Sequence, residues 1–294
     1  MHCNVFSYAT VLTGKSGFCT SVRVIQGTNM ANLKEPYQLF YRHRRLLWDA
    51  VKQSLRERHA GSVLGLAWLI LGPLILLSLY ALLYTVVFQV RPIGLSVTDY
   101  ILYISAGLIP FIAFAQALSA GTVALSQNQA LLLNRMFPAE LIPAREVLVA
   151  GAFLVMGGFM ILVYKLFTGY ISWAWLLLPV IILSMTMATL GCVWALSLTN
   201  LFLKDVQQAL QYVIIMILIA SPIAYTPDMV PPALRILLYV NPFAYYVMSF
   251  QSVLVLGAPP PPGILFGCIA FAFLAFHGMF HVFSMGKRVI ADQI

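Results

Sequence analysis

Charge is the scarcest commodity in this sequence. Asp, Glu, Lys and Arg together make up 9% of the 294 residues, where a soluble domain carries about 25%. With 61% of the residues hydrophobic, that scarcity excludes a soluble globular domain. Cysteine is also sparse. Cys3, Cys19, Cys192 and Cys268 show no CxxC spacing, and two of them fall inside apolar runs, so neither a disulfide framework nor a zinc site is indicated. Alternating period-two segments of about 10 residues are lacking too, which excludes a membrane β-barrel.

What is present is long, uncharged sequence. Residues 59–90, 100–134, 147–164, 166–203, 206–227 and 236–286 contain no Asp, Glu, Lys or Arg. A helix rising about 1.5 Å per residue needs roughly 20 apolar residues to cross the hydrocarbon, so each run holds at least one near-complete span. The expected fold class is all-α, a polytopic membrane protein with six transmembrane helices at 66–88, 101–123, 147–168, 174–198, 207–226 and 264–285. An even number puts both termini on one side. If that side is the cytoplasm it holds 14 of the basic residues, and the outer side holds only Arg91, Lys165 and Arg235, as the positive-inside rule requires. The 236–286 run is long enough for a seventh span. Asn241-Pro242 interrupts it, however, and Tyr245, Tyr246, Ser249 and Gln251 make it amphipathic, so a re-entrant or interfacial segment is expected.

Three regions follow. Residues 1–36 are expected to be a tail, disordered or an extension ahead of a start at Met30; its first 30 residues hold no apolar core for a secretory signal. Within it, ATVLTGKS (Ala9 to Ser16) ends like a phosphate-binding loop, but Ala9 replaces the first glycine and no strand precedes it, so it makes no nucleotide site. Residues 37–60 read as a cytoplasmic interfacial amphipathic helix, with Leu47, Val51 and Leu55 on one face and Arg45, Asp49, Lys52 and Arg56 on another. Gly61 marks the turn into the permease-like region 61–294.

Several local patterns converge on a known family. Gly61-Ser62-Val63-Leu64-Gly65 with Trp68 and Pro73, GLIPFIAF (Gly107 to Phe114), FPAELIP (Phe137 to Pro143), Lys204-Asp205-Val206 and Asn241-Pro242 follow one another in the order seen in permease subunits of type-two ABC exporters for polysaccharides. The sequence resembles that family from about residue 40 to 257, departing from it at Lys204, where Arg is frequent, and near Gln251, where a basic residue is frequent. The resemblance implies a cytoplasmic segment through which an ATPase acts, at Asn128, Leu132, Arg135, Phe137, Pro138 and Glu140. It also implies a pair of outer gate helices around Tyr239, Asn241, Pro242, Tyr245 and Tyr246.

Composition supports a passage without its own motor. An ion-coupled carrier generally holds an ionisable residue within the bilayer, yet all nine acids lie outside the expected span centres. Energy is expected from a separate ATPase subunit carrying ATP and Mg, with no cofactor on this chain. The loop from Ser126 to Glu146, broken by Pro138 and Pro143, offers an apolar face for docking that partner; the plainer reading is a solvated loop resting on headgroups. Tyr80, Tyr84 and Phe88 share one helix face, suited to stacking on sugar rings or to an outer aromatic belt. Tyr100, Tyr103, Phe111, Phe114 and Tyr225 would extend a channel lining. His277 and His281 share a face but lack further ligands, so they read as packing or interface residues and no metal is expected.

The expected protein is the permease half of an exporter for lipid-linked polysaccharide, most like those for O-antigen, in the bacterial inner membrane with both termini cytoplasmic. Its expected partners are a second copy of itself, two ATPase subunits, membrane lipids and the glycan substrate, whose charged lipid head would meet Arg42, Arg44, Arg45, Arg56 and Arg58; nucleic acid is not among them. Capsule, teichoic acid or a small lipophile are alternative cargoes. A polyprenyl-lipid enzyme or a passive channel are the rivals from other classes.

Overall fold

The computed structural model describes residues 33–58, 61–87, 95–128 and 137–293. The described residues are all-helical, with no strand among them. Two helices lead in, α1 (Glu35–Arg42) and α2 (Arg44–Arg58). Gly61 then reverses the chain at φ +79°, a backbone angle that other residues rarely adopt, and α3 (Trp68–Leu82) continues into a π-helical turn at Leu83–Val87. α4 (Val97–Gln127) begins where the Ser96 hydroxyl accepts the Asp99 amide and donates to the Asp99 carboxylate.

α5 (Leu141–Phe167) closes with the Tyr170 amide donating to the Lys165 carbonyl across Gly169, a Schellman end. After a short turn capped by Ser172 come α6 (Leu178–Phe202) and α7 (Val206–Ala220). Two short helices, α8 (Ile236–Val240) and α9 (Pro242–Gln251), precede α10 (Pro262–Gln293).

Four stretches are long and apolar enough to cross a membrane: Val97–Gln127, Leu141–Phe167, Trp173–Phe202 and Pro262–Gly286. These match four of the expected spans. The other two, at 66–88 and 207–226, contain shorter apolar helices, Ile70–Tyr80 and Val206–Ala220. α7 stops before Pro222, which cannot continue it, and α3 runs on helically through the π turn to Val87.

α4 is the centre of the bundle. Of its most apolar window 72% is buried, against 22% for α10, so α10 presents much of its surface outward. Glycines let the helices approach: a Cβ on Gly191 of α6 would run into the backbone of Ala275 on α10, and one on Gly121 of α4 into Val193 of α6. At one end of this bundle the fully buried Trp194 gathers the rings of Phe40, Phe276, Phe280 and Phe283, and its indole N–H donates to the Glu140 carbonyl at 3.0 Å.

Residues 37–58 are helical, with Leu47 and Val51 buried against Leu141 and Val149 of α5 and Tyr41, Leu46 and Trp48 exposed. The segment before α10 breaks at Asn241, and Tyr246, Phe250 and Gln251 of α9 are buried inside the protein, which of the two expected arrangements fits a re-entrant segment better than one lying flat at the interface.

Candidate functional site

Two ends of the bundle and one groove carry the chemistry. At the end that holds α2, the Arg58 guanidinium pairs with the Glu146 carboxylate, which Arg145 also contacts at 2.8 Å. Glu146 is itself buried, so α2 and the start of α5 are joined by charge as well as by Leu47, Val51, Leu141 and Val149. Arg58 thus holds an intramolecular partner while its side chain remains partly exposed. Arg44 lies 4.4 Å over the Tyr41 ring, while Arg42, Arg45 and Arg56 are exposed.

Beside this junction stand the residues expected to couple to an ATPase. The Asn128 amide donates to the Ala124 carbonyl at the end of α4, and Phe137 and Pro138 are half-buried where the chain enters α5. Glu140 is only 4% exposed. Leu132 and Arg135 lie outside the described residues.

At the other end, the Lys165 ammonium bonds the Asp99 carboxylate at 2.7 Å and sits 5.0 Å above the Tyr170 ring, joining the start of α4 to the end of α5. Ser172 and Tyr170 donate to the carbonyls of Gly257 and Leu256, which ties the turn before α6 to the turn before α10. A Cβ at Gly257, whose φ is +62°, would strike the Tyr170 hydroxyl, so only glycine fits there.

The chain between α7 and α8 is irregular where it leaves the helix, and side chains from elsewhere donate to its carbonyls and to one of its hydroxyls. Tyr100 donates to the Ala224 carbonyl at 2.8 Å, Asn241 to the Ser221 hydroxyl at 2.9 Å, and Gln251 to the carbonyls of Pro222 and Ile223 at 3.0 and 3.1 Å.

Of the rings expected to line a channel, Tyr100, Tyr103, Phe111 and Phe114 are buried within the chain, with Phe111 and Phe114 packed on Phe243. Within this one chain those rings serve packing. Phe114 borders the groove described below. Tyr80 and Tyr84 stay half-exposed and stack at 6.2 Å with an 18° tilt; Tyr225 is half-buried and its hydroxyl donates to the Ile219 carbonyl. Phe88 lies outside the described residues.

Around the expected gate, Tyr239 is exposed and accepts through its carbonyl from the Tyr245 hydroxyl, while Asn241 caps the amide of Phe243 beside Pro242. Tyr246 is buried and donates to the Cys268 carbonyl at 2.8 Å. His277 packs on Tyr37, Phe273 and Phe276.

An apolar groove of about 930 Å³ runs along α7, between it and α6, α9 and α10, bordered by Phe114, Met185, Leu210, Ile217, Phe271 and Leu274 among others. Only Leu210 and Ile214 of α7 are buried, so this helix stands off from the bundle along most of its length.

Sequence reasoning missed the two interhelical ion pairs and the role of Gln251. Asp99 and Lys165 are identifiable as boundary charges of opposite sign at meeting ends of consecutive antiparallel helices, a signal strong enough to have paired them. For Gln251 a lone polar residue in an apolar stretch was the only clue.

Comparison with known proteins agrees with this architecture. The model of the ABC-2 type transporter family matches residues 45–255. An "O-antigen export system permease protein RfbA" of Myxococcus xanthus is 25% identical over 257 residues, covering 86% of this chain and 97% of its own length. A protein of the same description from Klebsiella pneumoniae is 26% identical over 229 residues, covering 77% and 86%. With a family match extending from α2 through α9, the chain belongs to the ABC-2 type transporter family.

Proposed function

We propose that this chain is the transmembrane permease subunit of an ATP-driven exporter of lipid-linked polysaccharide of the O-antigen kind. The observation that carries the reading is similarity to O-antigen export permeases over 97% of one relative's length, which leaves that relative almost no part without a counterpart here. The fold supports a motorless passage, since its charged side chains gather at the ends of the bundle in the Arg58–Glu146 and Lys165–Asp99 pairs. ATP and Mg are bound by a separate ATPase subunit, two copies of which serve two copies of this chain about a two-fold axis.

Six crossings put both termini in the cytoplasm of the bacterial inner membrane. Support comes from α3 and α7: Tyr84 packs against the core that holds Tyr100, and the Tyr100 hydroxyl reaches Ala224 beyond α7, so both short helices arrive at the Asp99–Lys165 end. The half-exposed, stacked Tyr80 and Tyr84 present ring faces on which sugars can slide. Asn128, Phe137 and Pro138, with Leu132 and Arg135, receive the ATPase, and residues 236–256 cap the exit. Arg42, Arg45 and Arg56 meet anionic lipid heads.

Export tests the reading. A strain lacking its own O-antigen permease, given this chain and its genomic-neighbour ATPase, should display labelled polymer at the surface. Chain inserted in the membrane with no polymer outside would defeat the proposal, and recovery of capsule or teichoic acid instead would shift the cargo. Deleting residues 128–140 should abolish ATPase binding and stimulation.

A further inference from the structure

Gln251 is 1% exposed, and its amide nitrogen faces three backbone carbonyls: Pro222 at 3.0 Å, Ile223 at 3.1 Å and Tyr103 at 3.4 Å. The amide orientation follows from these neighbours, because turning it over would aim an acceptor at three acceptors. Its oxygen Oε1 is buried without a hydrogen-bond partner among the described residues. A side chain that leaves one buried polar atom unpaired, at a cost in stability, is held there by what its other atom does.

That other atom joins three elements. Tyr103 belongs to α4, Pro222 and Ile223 to the irregular stretch that ends α7, and Gln251 closes α9. α4 makes room for the junction at Gly107, where a Cβ would meet the Gln251 amide nitrogen at 2.9 Å, Val247 at 3.0 Å and the Ile223 backbone at 3.4 Å. Backbone that leaves a helix within a membrane protein needs partners supplied by the protein itself. Here Tyr100 supplies one for the Ala224 carbonyl and Gln251 for those of Pro222 and Ile223, while Asn241 holds the Ser221 hydroxyl. α7 meanwhile is bordered by the apolar groove and buries only Leu210 and Ile214, so this polar junction is what fixes its end.

We propose that Gln251 is the positioning residue of the exit: its buried amide pins the end of α7 to α4 and α9, and losing its donors opens the passage without ATP. This rests on the reading of residues 236–256 as the exit cap. Donation is the property that matters, so substitutions of opposite character separate it from packing. Gln251→Glu offers acceptors to three carbonyls. Gln251→Lys offers three donors and removes the unpaired oxygen.

The test uses the full-length chain in liposomes loaded with a small fluorescent dye. Wild type and Gln251→Lys should stay tight, while Gln251→Glu should release dye about tenfold faster, the population shift expected from losing a pair of buried hydrogen bonds. Tyr100→Phe, which removes only the bond to Ala224, should fall between them. A tight Gln251→Glu, or a Gln251→Lys as leaky as Gln251→Glu, overturns the proposal. If Gln251→Glu cannot be recovered folded, Gln251→Met removes the donors without adding charge; it should leak, and tight Gln251→Met liposomes overturn the proposal equally. Failure of the exporter reading itself would show elsewhere, as wild type unable to export polymer with its ATPase while the dye contrast persists.

Discussion

At Gly191 the bundle depends on a missing carbon. The backbone of Ala275 occupies the place of a Cβ, and backbone cannot retreat as a flexible side chain can. Gly191→Ala should therefore destabilise the purified protein by about 1–3 kcal/mol, seen as a lower melting temperature in detergent. Gly151→Ala, where nothing lies within 4 Å, should leave melting unchanged or slightly raised. The Lys165–Asp99 pair gives an asymmetric prediction. The Lys165 side chain is 8% exposed and that of Asp99 39%, so Asp99→Asn strands a buried ammonium whereas Lys165→Met leaves a carboxylate that water can reach. Asp99→Asn should lower the melting temperature more than Lys165→Met, and the double variant should return to the Lys165→Met value. Both charges are visible in the sequence as boundary residues, but their partnership spans 66 positions and only the meeting of α4 and α5 creates it.

Helix α2 shows what amphipathicity does and does not say. The spacing of Leu47, Val51 and Leu55 makes an apolar face legible without any structure, and a helix is what forms. Periodicity identifies the face that must be covered but not what covers it. Lipid and protein are equally apolar covers, and here Leu141 and Val149 of α5 are the ones in place. Val51→Asp would put an unpaired carboxylate into that contact. It should release α2, giving cleavage by trypsin after Lys52 or Arg56 about tenfold faster than in wild-type membranes. The aromatic residues of α4 follow the same rule. Their positions could be listed from sequence, yet Phe111 and Phe114 turn toward Phe243, more than a hundred residues away, and so serve packing first. α9 looks interfacial by composition because Ser249 and Gln251 are polar. Inside the fold, Ser249 donates to the Tyr245 carbonyl and Gln251 to three carbonyls, so polar side chains became compatible with burial.

For the whole molecule, membrane topology is the property to measure. Reporters fused after Ile294 should be cytoplasmic and those inserted among Pro259 to Pro261 should lie outside, a pattern shared by any arrangement in which α10 crosses inward; a third reporter at Lys204 decides, cytoplasmic if α7 crosses and external, like Thr226, if it does not. Membrane class, helical content and the near absence of charge from the bundle interior were determined by the sequence alone, because hydropathy is additive along the chain and needs no partner to act. The order of motifs from Gly61 to Asn241-Pro242 also carried the family. Tertiary structure decided which faces are spent on protein, which rings remain outside, and that Gln251 rather than a charged group holds the end of α7. Those outcomes depend on groups separated by 28 residues or more meeting at one point, and a hydrogen bond exists only once both partners and their burial have been arranged in space.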